Sequence, residues 1–341
     1  MLPVIFGFSG VSLTADERAF FKDTNPAGYI LFARNIESPK QLHALTDSLR
    51  DLAGRDHLPV LIDQEGGRVA RLGPPHWRSW PAAAVLAGLP ASPTATHLDR
   101  AIDRVQCNYE ALGLELATMG INVACAPVLD VPQPDAHDII GDRAFAQTPE
   151  TVAKLGRACL DGLALAGVAG VIKHIPGHGR ARSDSHEMLP RVAASEHDLA
   201  IDCEPFAALA DASMAMTAHV IYEAWDPEHC ASVSATVIQE QIRQSIGFDG
   251  LLISDDLDMK ALSGDIPARA VAVLEAGCDI ALNCWGRLDD MRGIAEQVPA
   301  MTSRAAVRLT RSCAPLRRVE NSPALNARIE ELVARRAALA D

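Results

Sequence analysis

The sequence predicts an α/β protein folded as a single-domain (β/α)8 TIM barrel. Eight short apolar runs recur along the chain, and each is followed by a longer segment with helical spacing. The runs are nearly continuous in apolar residues, as are strands of a parallel sheet covered on both faces. The length of 341 residues suits one such barrel, which typically takes roughly 250 residues and exceeds 400 with insertions. Eight βα units favour closure over an open, doubly wound sheet.

In chain order, VIFGFSG (4–10) and GYILFA (28–33) read as the first two strands, and SPKQLHALTDSLRDLAG, opening on Ser-Pro and closing on Gly, as a helix. PVLIDQEG (59–66) is the third strand. The Pro-rich GPPHWRSWP and the region 87–97 read as loop. INVACAPVLDV (121–131) precedes the helical PETVAKLGRACLDGLALAG, and VAGVIKHI (168–175) precedes SEHDLAIDCEPFAALAD. ASMAMTAHVIY (212–222), then the helical ATVIQEQIRQSIG, GLLISDD (250–256) and CDIALNCW (278–285) complete the set. Beyond Trp285 only helices are expected, with the barrel over about 4–300 and C-terminal helices over 301–341. No linker or second domain is expected.

The formal net charge is −13 without any block of like charge, so nucleic acid would be repelled over most of the surface. A small molecule is the expected partner. The start, MLPVIFGFSG, has no basic region before its apolar run, and no stretch approaches the roughly 18 apolar residues of a membrane span. A cytoplasmic enzyme without membrane attachment is expected. The eight cysteines include no C-x-x-C pair and sit mostly in apolar segments, which reads as small buried hydrophobes in a reducing compartment.

In such a barrel the active site lies at the C-terminal ends of the strands, so polar residues that terminate apolar runs are candidates. Strand three ends in Asp63, followed by Arg68 and Arg71; strand four ends in Asp130, with Asp142 and Arg143 in the loop beyond. Strand five ends in Lys173 and His174, strand six in His219, strand seven in Asp255 and Asp256, strand eight in Asn283 and Trp285. One polar strand end is ordinary. Six together suggest a small polar pocket for a hydroxyl-rich ligand held by charge-assisted hydrogen bonds. Of Asp255 and Asp256, only one can face the pocket, because successive side chains on a strand point to opposite faces.

The peptide KHIPGHGRARSDSH (173–186) fits three uses. As a metal site it needs His174, His178 and His186 to converge, but Pro176 and Gly177 interrupt any shared helix face. As a phosphate cradle it lacks the required glycine–lysine spacing. A purely structural turn stays open. An Asp-x-His pair, Asp184 and His186, can hydrogen-bond carboxylate to imidazole and raise its proton affinity, which makes a proton donor.

Together with LLISDDLDM, this peptide resembles the family-3 glycoside hydrolases, specifically the bacterial single-domain β-N-acetylglucosaminidases of peptidoglycan recycling. GYILFARNI, LIDQEGGRVARL, APVLDV and IGDRAF resemble further blocks in the same order, so the resemblance covers about residues 5 to 290. It implies Asp255 as nucleophile, His186 as acid/base assisted by Asp184, and Asp63, Arg71, Arg143, Lys173 and His174 as the residues holding an N-acetylglucosamine ring. It implies no metal, no cofactor, a monomer, and a muropeptide disaccharide as substrate. Two departures stand out: Ile175 where the family commonly has Phe, and Arg180 where it often has Asp. His178 is expected to hold the loop turn, with Gly177 and Gly179 as hinges.

The expected chemistry is retaining hydrolysis through a glycosyl-Asp255 intermediate. Phosphorolysis on the same fold is the nearest alternative. A metal-dependent hydrolase built on His174, His178, His186 and Asp255, or a sugar-binding sensor without catalysis, are more distant ones.

Overall fold

Side-chain alternation along the apolar runs decides the architecture, which the computed structural model describes for residues 1–134, 137–183, 189–313 and 319–339. The strands are β1 (Leu2–Phe6), β2 (Pro26–Leu31), β3 (Val60–Ile62), β4 (Val123–Ala124), β5 (Ala169–Ile175), β6 (Arg191–Val192), β7 (Met214–Thr217), β8 (Ile221–Tyr222), β9 (Leu251–Asp256) and β10 (Ile280–Asn283). Eight of them close a parallel barrel in the order β1-β10-β9-β7-β5-β4-β3-β2, and each overlaps one of the eight apolar runs. The interior is filled by one cluster that takes Ile5, Ile30, Leu61, Val123, Val171, Met214, Leu251 and Ile280, one from each barrel strand. Their neighbours, such as Val4, Phe6, Ile62 and Ile172, face outward into a second cluster beneath the helices. That two-sided burial is why the runs lack polar alternation.

The helices are α1 (Ala15–Thr24), α2 (Pro39–Ala53), α3 (Ala83–Ala87), α4 (Ala95–Thr118), α5 (Pro149–Leu165), α6 (Glu196–Ala208), α7 (Ile266–Ala276), α8 (Leu288–Gln297), α9 (Ser303–Cys313) and α10 (Pro323–Ala338), with a wider helical segment at Val237–Ser245. Their ends obey local chemistry. Thr14 and Glu17 form a reciprocal capping box, Ser38 and Pro39 open α2, and Gly54 closes it in the left-handed conformation. No helix among the described residues is long and apolar enough to cross a membrane.

Three boundaries differ from the sequence reading. The run 121–131 is a continuous strand only over Val123–Ala124; Pro127 has no N–H to donate, and pairing with β5 resumes beyond it through a bridge between Val128 and Lys173, with Leu129 N donating to Lys173 O at 2.8 Å. The run 212–222 stops pairing in the barrel at Thr217, and its end, β8, forms a separate two-stranded sheet with β6. The stretch 87–97 is not loop throughout: Thr94 caps α4, which starts at Ala95.

The barrel floor is closed by α9, whose Leu309 and Cys313 join the interior cluster. Arg308 fastens it, donating to Asp279 Oδ1 at 3.0 Å and to Asp249 Oδ1 at 2.6 Å. Arg243 reaches the same Asp279 at 2.8 Å. The Arg308 side chain is only 7% exposed, so Arg308→Ala leaves Asp279 and Asp249 short of a counter-charge. The expected loss is about 3 kcal/mol of unfolding free energy, read from urea titration. Arg304, 75% exposed and 3.6 Å from Asp249, is the contrast: its truncation to Ala should cost less than about 1 kcal/mol.

Candidate active site

The interior parity of the strands carries directly into the mouth. Leu61 faces inward, so Asp63 and Glu65 follow at two-residue intervals; Val171 leads to Lys173, and Leu251 and Ile253 lead to Asp255. Pairing slips between Lys173 and Ile175 and again near Asp256, so that His174 and Asp256 also reach the wall. The result is a cavity of about 310 Å³ at the C-terminal end of the barrel, walled by Asp63, Arg71, Arg143, Lys173, His174 and Asp255 among others. Six of the eight residues expected at the site therefore meet in one cavity. The other two, Asp184 and His186, lie outside the described residues.

A charge network organises the wall. Lys173 Nζ stands 2.6 Å from Glu65 Oε1 and 3.1 Å from Asp63 Oδ1. Arg71 meets the other oxygen of Asp63 at 3.0 Å, and Arg143 grips Glu65 with two bonds of 2.8 Å. Burial opposes the charges of Asp63, Glu65, Arg143 and Lys173, yet their partners prevail. Lys173 and Arg71 hold the Asp63 carboxyl well below the usual range, Lys173 and Arg143 hold Glu65 at about 2, and the carboxylates hold Lys173 above its ordinary value. Phe32 lines the same cavity, with the Arg71 guanidinium 5.3 Å from its ring centroid.

Beside this network, His174 Nδ1 lies 2.7 Å from the fully buried Asp130, which also accepts the backbone N–H groups of His174 and His178 at 3.2 and 2.7 Å. Burial penalises the Asp130 charge, but His174 and His178 bring its carboxyl to about 2. The His174 ring is thereby fixed with Nδ1 turned to Asp130. Burial and the neighbouring His174 push His178 down to about 4, so its ring is neutral at neutral pH. Among the described residues no three His, Cys, Asp or Glu side chains could hold a metal ion.

The base of the 173–186 peptide is fastened by hydrogen bonds to its backbone. Gly177 O accepts from the Tyr222 hydroxyl at 2.7 Å, Gly179 O from Gln133 N at 3.1 Å, and Ala181 O from His137 N at 2.8 Å. Gly179 is required by close approach, since a Cβ there would stand 2.0 Å from Val131 O. Arg180 donates from Nε to Asp202 on α6 at 2.6 Å, which explains an arginine at this place.

Both Asp255 and Asp256 line the cavity, against the expectation that only one would, and both carboxyl groups accept backbone N–H groups, Asp255 Oδ1 from Asp256 N at 2.8 Å. Asp256 Oδ1 accepts from Asp258 N and Cys284 N, both at 3.1 Å, and burial with the nearby Asp258 raises its carboxyl to about 8. Asp256 is thus tied to backbone. His219 does not line the cavity: its ring bridges Ser232 Oγ at 2.8 Å and Asp256 O at 3.0 Å, backing the strand end. Asn283 likewise turns away, donating to Asp258 at 2.7 Å. Glu65 and Phe32 were not singled out from sequence, although Glu65 stands two residues beyond Asp63 on the same parity.

Residues 6–313 match the family model described as the glycosyl hydrolase family 3 N terminal domain. A protein named Beta-hexosaminidase from Alkalilimnicola ehrlichii is 40% identical over 291 residues, covering 83% of this chain and 80% of its own. One of the same name from Methylococcus capsulatus is 41% identical over 290 residues, covering 82% of each. The crystal structure of NagZ from Neisseria gonorrhoeae in complex with N-trifluoroacetyl-D-glucosamine superposes with a TM-score of 0.87 at 32% identity, covering 99% of this chain and 97% of that one.

The wall predicts an acid dependence of stability. Glu65 has its folded value depressed from 4.5 to about 2, so its contribution is present above pH 4.5 and is lost as the pH falls toward 2. Glu65→Gln should lower the urea midpoint at pH 7, where Lys173 and Arg143 lose a counter-charge, and flatten the decline between pH 4.5 and about 2. Parallel acid limbs for the two proteins would contradict the assigned network.

Proposed function

The chain belongs to glycosyl hydrolase family 3 and is a glycoside hydrolase of β-hexosaminidase type, and from that premise we propose a retaining exo-β-N-acetylglucosaminidase. The single observation that supports this reading most is the cavity of about 310 Å³ in which Asp255 shares a wall with Asp63, Arg71, Arg143, Lys173 and His174. Fixed cations and carboxylates of this kind suit the hydroxyls and acetamido group of one N-acetylhexosamine ring. The proposed substrate is N-acetylglucosamine β-1,4-linked to 1,6-anhydro-N-acetylmuramic acid, with or without its peptide. The chain is proposed to act in the cytoplasm as a monomer and as one catalytic unit, without a cofactor.

In the proposed mechanism an Asp255 oxygen attacks the anomeric carbon while imidazolium His186 gives its proton to the departing glycosidic oxygen. Neutral His186 then takes a proton from water, whose oxygen displaces Asp255 from the anomeric carbon. The ring is released with its configuration kept and His186 is protonated again. Asp184 is proposed to orient His186 and stabilise its charged form.

Asp255→Ala should abolish turnover of a chromogenic N-acetylglucosaminide. His186→Ala should lose about a hundredfold or more on an alkyl glycoside, whose leaving oxygen needs a proton, and far less on an activated aryl glycoside. Equal losses on both would remove His186 from the acid role. In phosphate buffer the product should be N-acetylglucosamine; accumulation of its 1-phosphate would make the enzyme a phosphorylase.

A further inference from the structure

His219 closes the sixth apolar run, yet it is wholly buried and its ring turns away from the cavity. Its Nε2 is 3.0 Å from Asp256 O, and its Nδ1 is 2.8 Å from Ser232 Oγ. Ser232 Oγ lies 2.7 Å from Thr217 Oγ1, and Thr217 Oγ1 accepts from Asp255 N at 3.3 Å. The three side chains come from the end of β7, the loop beyond it and the helical turn Ala231–Val233. All are buried and none lines the cavity, so none is placed to touch a ligand. Together they form a chain of polar groups that starts at the N–H of Asp255 and returns at the carbonyl of Asp256.

Proton bookkeeping gives this chain a direction. Burial lowers the His219 imidazole below its ordinary value, so at neutral pH the ring is neutral and carries one N–H. A carbonyl oxygen only accepts, which puts that N–H on Nε2, facing Asp256 O. Nδ1 is then an acceptor for the Ser232 hydroxyl, whose other acceptor in reach is Ala218 O at 3.0 Å. With its proton spent, Ser232 accepts from Thr217, and Thr217 accepts from Asp255 N–H.

The ladder shows why the dipeptide needs such support. The β7–β9 register runs from Met214↔Leu251 to Met216↔Ile253, two residues short of Asp255. Beyond it side chains take over: Thr217 receives Asp255 N, Ser254 Oγ donates to Asp255 O at 2.8 Å, and His219 holds Asp256 O. Asp255 Oδ1 accepts from Asp256 N at 2.8 Å, so the carboxylate is tied to the dipeptide that these groups hold. We propose that Thr217, Ser232 and His219 are positioning residues that aim the Asp255 carboxylate at the anomeric carbon, a role that rests on the reading of Asp255 as nucleophile.

Two quantities of the full-length enzyme test it: kcat on a chromogenic N-acetylglucosaminide, and the inhibition constant of N-acetylglucosamine, which reports the grip on the ring. Thr217→Val keeps the shape and removes the hydroxyl; it should lower kcat roughly ten- to a hundredfold and leave the inhibition constant within about twofold. Thr217→Ser should recover most of the loss. His219→Ala should behave as Thr217→Val does, and His219→Gln, whose amide can donate to Asp256 O, should recover part of it. Where His219→Ala does not fold, the Thr217 pair decides. An unchanged kcat in Thr217→Val, an inhibition constant that weakens in step with kcat, or no recovery in Thr217→Ser would overturn the proposal. Failure of the underlying reading looks different: Asp255→Ala would itself keep turning over, whereas an inactive Asp255→Ala beside a fully active Thr217→Val removes only the positioning role.

Discussion

Lys173 carries an ammonium group to a place where its side chain is 3% exposed, and the arrangement of the mouth follows from keeping that charge. An isolated buried ammonium would cost several kcal/mol in lost hydration. Asp63 and Glu65 flank it, but two carboxylates on one cation leave negative charge over, and Arg71 and Arg143 answer one each. Each group then has its rotamer set by a partner on another strand or loop, so donors and acceptors face the cavity without waiting for a ligand. A sugar hydroxyl entering there meets oriented charges that need no rearrangement, the condition under which polar contacts discriminate best.

Asp130 extends the same constraint outward. A wholly buried carboxylate must be satisfied on both oxygens, and here His174 and the His178 N–H do so. One carboxylate from the end of the fourth apolar run thereby sets the ring that faces the cavity and the first turn of the loop beyond it. The Tyr222, Gln133, His137 and Asp202 contacts continue the fastening as far as Ala181. In PGHG, Gly179 is explained by close packing against Val131 O, and Gly177 by its φ of +134, a conformation that side-chain-bearing residues rarely adopt. The proposed acid and its partner come after this fixed base in sequence, so the proposed mechanism assigns positioning of the sugar and delivery of the proton to different parts of one peptide.

Much of this was legible because a barrel strand has period two and its apolar run ends where the mouth begins. Asp63, Lys173 and Asp255 are each continuations of an inward-facing apolar parity, and their convergence needed only eight strands in a closed order. What stayed hidden depended on partners far away in sequence. Glu65 is an unremarkable acid in a glycine-rich turn until Lys173 and Arg143 approach it. His219 and Asn283 end apolar runs just as Lys173 does, yet they turn to Ser232 and Asp258, a choice that local sequence does not encode. The start of α4 was obscured by polar residues around its Thr94 cap, and the short β4 by Pro127, which interrupts the strand before pairing with β5 resumes at Val128. Arg180 looked like an anomaly because its partner, Asp202, lies on α6.

The order of the strands gives the mouth a direction that no single residue has. Cations and carboxylates gather over β3, the β4 loop and β5, while the opposite sector, from β9 through β10 to β1, is tied mainly to backbone: Asp256 to Asp258 N and Cys284 N, Arg34 to Phe8 O and Cys284 O. One side is therefore rich in groups aimed into the cavity, and the other spends its polar atoms on holding loops in place. A ligand with hydroxyls all round would be held everywhere in a symmetric pocket. Under the proposed reading a sugar ring in this one is oriented, with its hydroxyls toward Lys173 and its anomeric carbon toward Asp255. Orientation of that kind would let the proposed nucleophile at the end of β9 act on one anomeric carbon, since the reacting atom would be placed by contacts made on the far side of the ring.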